Sequence, residues 1–306
     1  MAPTDNKQQH EEEIMTTATE DSDTNTSTNN GSSKSSNRIL VIGSTGAGKS
    51  TLINALVGDD LCHTSSAAVG CTGSYTTVTA THNDVTYEFI DTVGINEPEE
   101  GTVSRTDALK MFFKFLRDNA DGFNLIIFCT REGRITEESK TTYEVMVKKL
   151  YASSESKQSP PVLIFVGGMF LEYDEDPQQW CEANRATFVQ QGLVEAAAEL
   201  DAFHAIALPR SKNPMLAKVF QQISAASTKR AWNVIERTLA PEPVRLYTSV
   251  RGMLNVVQNV WNTIAANFGW PLIIPDVLRE IAAACGFSSK EISELTHTEP
   301  FMIAMN

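Results

Sequence analysis

The chain has 306 residues, 42% of them apolar, enough for one α/β domain of ordinary size with appendages at both ends. Its net charge of −13 argues against a general affinity for nucleic acid or for anionic lipid, and membrane association is not expected. Five cysteines without metal or disulfide spacing, no apolar run of spanning length and no apolar leader lead us to expect a soluble, cytoplasmic protein.

Residues 1–37 are polar, free of aromatics, and pass into a Ser/Thr/Asn tract. Such a segment cannot bury enough apolar area to offset its ordering entropy, so a disordered tail is expected. A phosphorylated arm and a plain solubilising arm both fit it.

A buried strand is expected over Arg38–Ile42, followed by a glycine-rich loop and a helix over Thr51–Val57. The loop, Gly43-Ser44-Thr45-Gly46-Ala47-Gly48-Lys49-Ser50, fits G-x-x-x-x-G-K-[ST] at every fixed position. Strand, glycine turn and helix N-terminus together make an anion site, because successive N–H groups and the positive helix end face one cavity. Gly43 through Thr51 are the candidate phosphate-binding residues. Lys49 is placed to reach the β- and γ-phosphates as a catalytic cation, and the Ser50 hydroxyl to ligate Mg²⁺. The pattern predicts a nucleoside triphosphate site.

Residues 60–76 read as a loop carrying Thr64, Thr72 and Thr76, any of which can offer a hydroxyl to the metal. Thr72 is preferred, as a catalytic and metal-binding residue, for its distance from Lys49 and its place before a strand. Thr76–Thr81 and Val85–Asp91 then read as two strands joined at Asn83-Asp84, a two-residue hairpin signal. Asp91-Thr92-Val93-Gly94 closes the second strand about forty residues past the phosphate loop. Its carboxylate can hold Mg²⁺, usually through water, and the Gly94 N–H can meet a γ-phosphate. A D-x-x-G at that place suggests a switch, ordered by the γ-phosphate and released on hydrolysis. The residue after it is Ile95, which cannot align an attacking water, so slow turnover is expected.

A helix near Arg105–Leu116, a strand at Leu125–Cys129 and a helix capped by Thr136, with Glu137 and Glu138 in its first turn, come next. Val162–Val166 is a further strand, Gln178–Val189 a helix, Ala205–Leu208 a last short strand, and a final helix ends near Leu239. Alternation of this kind means a three-layer P-loop α/β domain, with a mostly parallel sheet, one antiparallel edge strand and ligand at the strand C-termini. The expected organisation is therefore a tail over 1–37, a nucleotide domain over 38–239 and a helical extension over 240–306. In the extension, Leu246, Val250, Met253, Val257, Val260 and Ile264 share one helical face, and Val277, Leu278 and Ile281 support a shorter amphipathic helix. Three readings stand for it: packing back onto the domain, a self-association or partner helix (a coiled coil included), and membrane-surface binding, the last disfavoured by the lack of a basic cluster.

The phosphate loop, Cys71-Thr72, Phe89-Ile90-Asp91-Thr92-Val93-Gly94 and Arg131-Glu132-Gly133-Arg134-Ile135-Thr136 together resemble the septin-related GTPases. Within these the nearest match is the immunity-associated nucleotide-binding and chloroplast-import-receptor family. Trp180-Cys181-Glu182-Ala183-Asn184, after a strand ending in Gly167-Gly168, also resembles single-domain GTPases common in fungi. The resemblance covers about residues 38–235 and implies GTP or GDP as ligand, Mg²⁺ as cofactor, and dimerisation through the nucleotide face. One departure stands out. The guanine-reading N-K-x-D is missing where Gly167-Gly168-Met169-Phe170-Leu171-Glu172 occurs, leaving Glu172 or Asp174 as carboxylates for the base, or neither. Ala207-Leu208 is expected to bring a backbone N–H near it. A switch with slow GTP hydrolysis is the leading reading; a non-hydrolysing nucleotide-bound scaffold and a P-loop ATPase are the alternatives.

Overall fold

The computed structural model describes residues 36–58, 75–92, 105–133, 135–152, 158–168, 176–193, 202–209, 213–268, 275–284 and 286–293. Its centre is a six-stranded sheet of order β2-β3-β1-β4-β5-β6. The strands are β1 (Asn37–Ile42), β2 (Tyr75–His82), β3 (Val85–Thr92), β4 (Leu125–Arg131), β5 (Val162–Gly167) and β6 (Phe203–Ile206). Neighbours pair in parallel except β2 and β3, which run antiparallel through a two-residue turn. That turn has Asn83 at φ 51° and Asp84 at φ 61°. Positive φ at both positions matches the right-handed twist of the flanking strands, and Asn-Asp tolerates it.

The apolar runs of β1, β4 and β5 are continuous because both faces of the sheet are covered. Leu40, Ile42, Ile126, Phe128, Ile164 and Val166 point to one face; Ile39, Val41, Leu125, Ile127, Leu163 and Phe165 point to the other. On the second face lie α1 (Lys49–Val57) and α6 (Pro214–Thr238), with Trp232 donating its indole N–H to the Leu56 carbonyl at 3.2 Å. The first face carries α2 (Arg105–Asp118), α3 (Glu137–Tyr143), α4 (Leu150–Ala152), α5 (Gln178–Gln190), α7 (Val250–Phe268) and α8 (Pro275–Ala284). A π-helical turn, Glu144–Lys149, joins α3 to α4, and a five-residue α9 (Ser289–Ser293) follows α8. Thr136 caps α3 by accepting from the Ser139 N–H, with Glu137 and Glu138 in the first turn as expected.

The helical extension packs back onto the domain. Met253, Val256, Val257, Val260 and Ile264 join the core formed by α2 and the π-turn. The link before α7 is clasped: Phe123 and Val244 exchange backbone hydrogen bonds, and Ala240 and Asn124 tie a second point.

Four sequence expectations shift. The last strand is Phe203–Ile206, not Ala205–Leu208, because the Ala207 N–H leaves the sheet to donate to Ser227 Oγ at 3.2 Å. Leu246 is buried but precedes α7, which starts at Val250. In α8, Leu278 and Ile281 face the core while Val277 is exposed. The phosphate-loop helix begins at Lys49, two residues before Thr51.

Candidate functional site

Parallel pairing of β1 and β3 sets Val41 beside Asp91, so the two strands deliver the glycine loop and the carboxylate to the same sheet edge. Gly43 follows β1 with φ +150°, and a Cβ there would lie 2.3 Å from the Cys129 carbonyl oxygen. Only a residue without a side chain fits so close to β4. Gly46 and Gly48 hold φ +73° and +99°, which curls the loop back to the helix. The Ala47 N–H closes it on the Ser44 carbonyl at 3.0 Å.

Gly48 is the N-cap of α1 and supplies no side-chain cap, and the first turn holds no acid. The leading N–H groups of α1 are thus left to an anion from outside the helix. Lys49 is buried and bends over the loop, donating to the carbonyls of Gly43 at 2.8 Å and Ser44 at 3.2 Å. Its ammonium is thereby held above the same cradle.

Ser50 Oγ donates to Asp91 Oδ2 at 2.7 Å. Asp91 is 2% exposed, and its other oxygen, Oδ1, is buried without a hydrogen-bond partner. Burial pushes the carboxyl above its usual pKa, while the Ser50 bond and the Lys49 charge pull it down. A buried acceptor with no donor marks a place where something is to be supplied. A hydroxyl and a carboxylate beside a phosphate cradle are the oxygen donors Mg²⁺ takes, and the ion characteristically shares its shell with phosphate and water. The residues fit the metal.

Two further groups adjoin the loop. Ser139 at the start of α3 lies 3.4 Å from Ser44 Oγ and 3.0 Å from Thr136 Oγ1, so α3 leans on the loop's outer wall. Arg131, exposed at the end of β4, has Nη2 3.9 Å from where a Cβ on Gly46 would stand. Neither was assigned a role from sequence. Arg131 was legible as the residue ending a buried strand at the ligand side of an open parallel sheet; Ser139 carried no signal of its own.

Of the candidates, Gly43 through Thr51 and Asp91 come together at one site, with Thr51 on the side of α1 that faces α6. Thr72, Gly94 and Glu172 lie outside the described residues, as do Ile95 and Asp174. Thr76 is described and falls on β2 opposite Asp91. Of the pair Ala207-Leu208, the Ala207 N–H donates to Ser227 Oγ, which leaves Leu208 as the candidate to bring an N–H near a base.

Residues 38–166 match the model of the 50S ribosome-binding GTPase family. The match runs from β1 to β5 and takes in the glycine loop and Asp91. Solved structures similar to the chain include a dimerisation-deficient variant of Toc33 from Arabidopsis thaliana, at 19% identity and TM-score 0.43, covering 67% of this chain and 86% of that one. Era from Aquifex aeolicus bound to GDP and aluminium fluoride is 17% identical with TM-score 0.45, over 69% of this chain and 59% of Era. A complex of Era with MgGDPNP and a 16S ribosomal RNA segment is 18% identical with TM-score 0.46, over 68% and 58%.

Proposed function

We propose that this protein is a guanine-nucleotide switch that binds GTP with Mg²⁺, hydrolyses it slowly, and uses the nucleotide state to control self-assembly or partner binding. The observation that carries the reading is the pairing of Ser50 with a buried, half-satisfied Asp91 beside an uncapped glycine cradle. Loop N–H groups and Lys49 would hold the β- and γ-phosphates. Ser50 and Asp91 would hold Mg²⁺, with Thr72 as the further hydroxyl. Bound there, the metal would neutralise charge on the phosphate oxygens. Gly94 would receive the γ-phosphate, and Glu172 or its neighbourhood the base.

Arg131 adds a cation at the rim of the loop, beside Gly46. With Ile95 in place of a water-orienting side chain, turnover would depend on such a cation or on a group from a second copy. Dimerisation through the nucleotide face fits that need, and dimerisation is important for the GTPase activity of Toc33 itself. The septin-related type, a cytoplasmic location and the absence of nucleic-acid or membrane binding belong to the same reading. No helix among the described residues is long and apolar enough to cross a membrane.

The test is binding of fluorescent guanine and adenine nucleotides with and without Mg²⁺, then single-turnover phosphate release at several protein concentrations. Guanine preference, a Mg²⁺ requirement and a rate that climbs with concentration are expected. Equal adenine binding overturns the guanine assignment. Tight binding with no phosphate release leaves the scaffold reading standing instead. Lys49→Ala removes binding in every case and checks the site alone.

A further inference from the structure

We propose that β2 is a self-pairing edge: two copies of this chain join by antiparallel β2·β2 pairing, extending one sheet into the other without involving the nucleotide. The two ends of the sheet differ. The far edge, β6, is four residues long, a length that offers little to pair with. β2 is eight residues long and reads Tyr-Thr-Thr-Val-Thr-Ala-Thr-His. It contains no proline, no lysine and no acid, and its register with β3 runs unbroken from Tyr75–Thr92 to His82–Val85, so no bulge bends it away. Proline, lysine, inward acids and bulges are among the usual devices that stop an edge from pairing, and β2 itself holds none of these.

The turn decides which backbone groups the edge presents. With a two-residue loop, the flanking pair His82–Val85 is hydrogen-bonded, and bonded and non-bonded pairs alternate along an antiparallel ladder. Ala80, Val78 and Thr76 therefore bond to β3, whereas Thr81, Thr79 and Thr77 turn their N–H and C=O groups to the free edge. The side chains of those three threonines are exposed on one sheet face, and Val78 and Ala80 are buried against the other.

A second copy is the occupant this strip fits. A two-fold axis perpendicular to the sheet keeps faces matched only if opposed residue numbers sum to an even value. Centring on Thr79 satisfies this: Thr79 meets Thr79 of the second copy, Thr77 meets its Thr81, and Val78 meets its Ala80. Every outward N–H then faces an outward carbonyl, and threonine stands opposite threonine, a favourable cross-strand pair. Charge argues the same way. A chain of net −13 tends to repel its own copy, and β2 is an eight-residue strip without an aspartate, glutamate, lysine or arginine. The nearest acid across the ladder from Thr79 is Glu88, already held by Arg38 and Ser36.

The experiment is analytical ultracentrifugation of the full chain from about 1 to 100 µM, without nucleotide, with GDP, and with a non-hydrolysable GTP analogue. A concentration-dependent dimer already present without nucleotide and with GDP, and retained by Lys49→Ala, is expected; any further association that the GTP analogue adds belongs to the nucleotide face and should survive the β2 variants below. Thr79→Lys places two like charges on the axis, and Thr79→Pro deletes an outward N–H without touching the β3 ladder; each is expected to weaken the dimer at least about tenfold. Amide exchange supplies a reading that does not depend on variants: Thr77, Thr79 and Thr81 slow as concentration rises, while Val78 and Ala80 are slow throughout. A monomer across the range overturns the proposal, as does a dimer indifferent to Thr79→Lys or one that forms only with the GTP analogue. An edge that instead captures an extended peptide while the chain stays monomeric also overturns it.

Discussion

Ser50 and Asp91 are joined by a 2.7 Å hydrogen bond that satisfies one carboxylate oxygen and leaves the other buried and alone. Removing the hydroxyl in Ser50→Ala leaves both oxygens unpartnered, which costs about 1–3 kcal/mol. Asp91→Asn acts in the opposite direction on the ligand-free protein. Its folded pKa is raised, so the fold favours the protonated form; that contribution is present at low pH and lost as pH rises through the folded pKa. Ionising this carboxyl therefore costs stability, a cost that asparagine does not carry. Thermal melts at pH 7 should therefore fall for Ser50→Ala and hold or rise for Asp91→Asn. Both variants should lose the extra stabilisation that Mg²⁺ and GTP give the parent protein.

Gly43 and Gly48 are both glycines of the loop, yet they should respond differently to alanine. At Gly43 the new Cβ meets the Cys129 carbonyl at 2.3 Å, backbone against backbone, so the loop must lift off β4. At Gly48 nothing stands within 4 Å and only the left-handed backbone, φ +99°, resists. Gly48→Ala should cost about 1–2 kcal/mol and Gly43→Ala more, with nucleotide binding weakened for both. Chemical denaturation beside nucleotide titration measures both.

The phosphate end of the site was readable because each part has a local cause: a glycine where a Cβ would collide, a helix start, a carboxylate closing an apolar strand. Period-two and period-3.6 patterns likewise gave β1, β4, β5 and the face of α7. β6 was misplaced by two residues because its end is set by Ser227, which takes the Ala207 N–H from twenty residues away. Leu246 joined the stripe of α7 in sequence because a buried residue before a helix looks like one inside it. Arg131 and Ser139 reach the loop only through strand order and the lean of α3, relations no local pattern encodes.

The described residues beyond Leu239 contribute to the core that supports the site, so a fragment ending at Leu239 should not hold a native fold. Met253, Val256, Val257, Val260 and Ile264 are 0–6% exposed against α2 and the π-turn. At about 1.5–3 kcal/mol each, these side chains together match the whole net stability of a domain. The fragment is expected to be insoluble or to lack near-UV circular dichroism. A gentler probe is Gly122→Ala: with φ +81° and a Cβ 1.8 Å from the Val244 carbonyl, it prises apart the clasp between Phe123 and Val244. A loss of at least about 2 kcal/mol is expected in chemical denaturation. A folded 38–239 fragment with unchanged nucleotide binding would count against this role.

Alkaline pH should unfold the protein through groups that the core keeps neutral. Burial pushes the Cys129 and Cys181 thiols up from 9.0 to about 12, the latter aided by Glu182 and Asp176. Tyr75 is raised from 10.0 to about 12, first by burial and then by its bond to Asp118. Because each folded pKa lies above the unfolded one, the stabilisation is fully present below pH 9 and is lost as pH rises through 12. Stability to denaturant should thus decline over pH 9–12, on the basic side of neutrality. The same burial protects the thiols. At pH 8 both thiols stay protonated and buried, so iodoacetamide should leave both unmodified in the folded chain and alkylate both in guanidinium. Mass spectrometry of tryptic peptides reads the two sites separately. Rapid native alkylation at Cys129 would mean that β4 opens beside the phosphate loop, and the close approach to Gly43 would then fail as an account of the site.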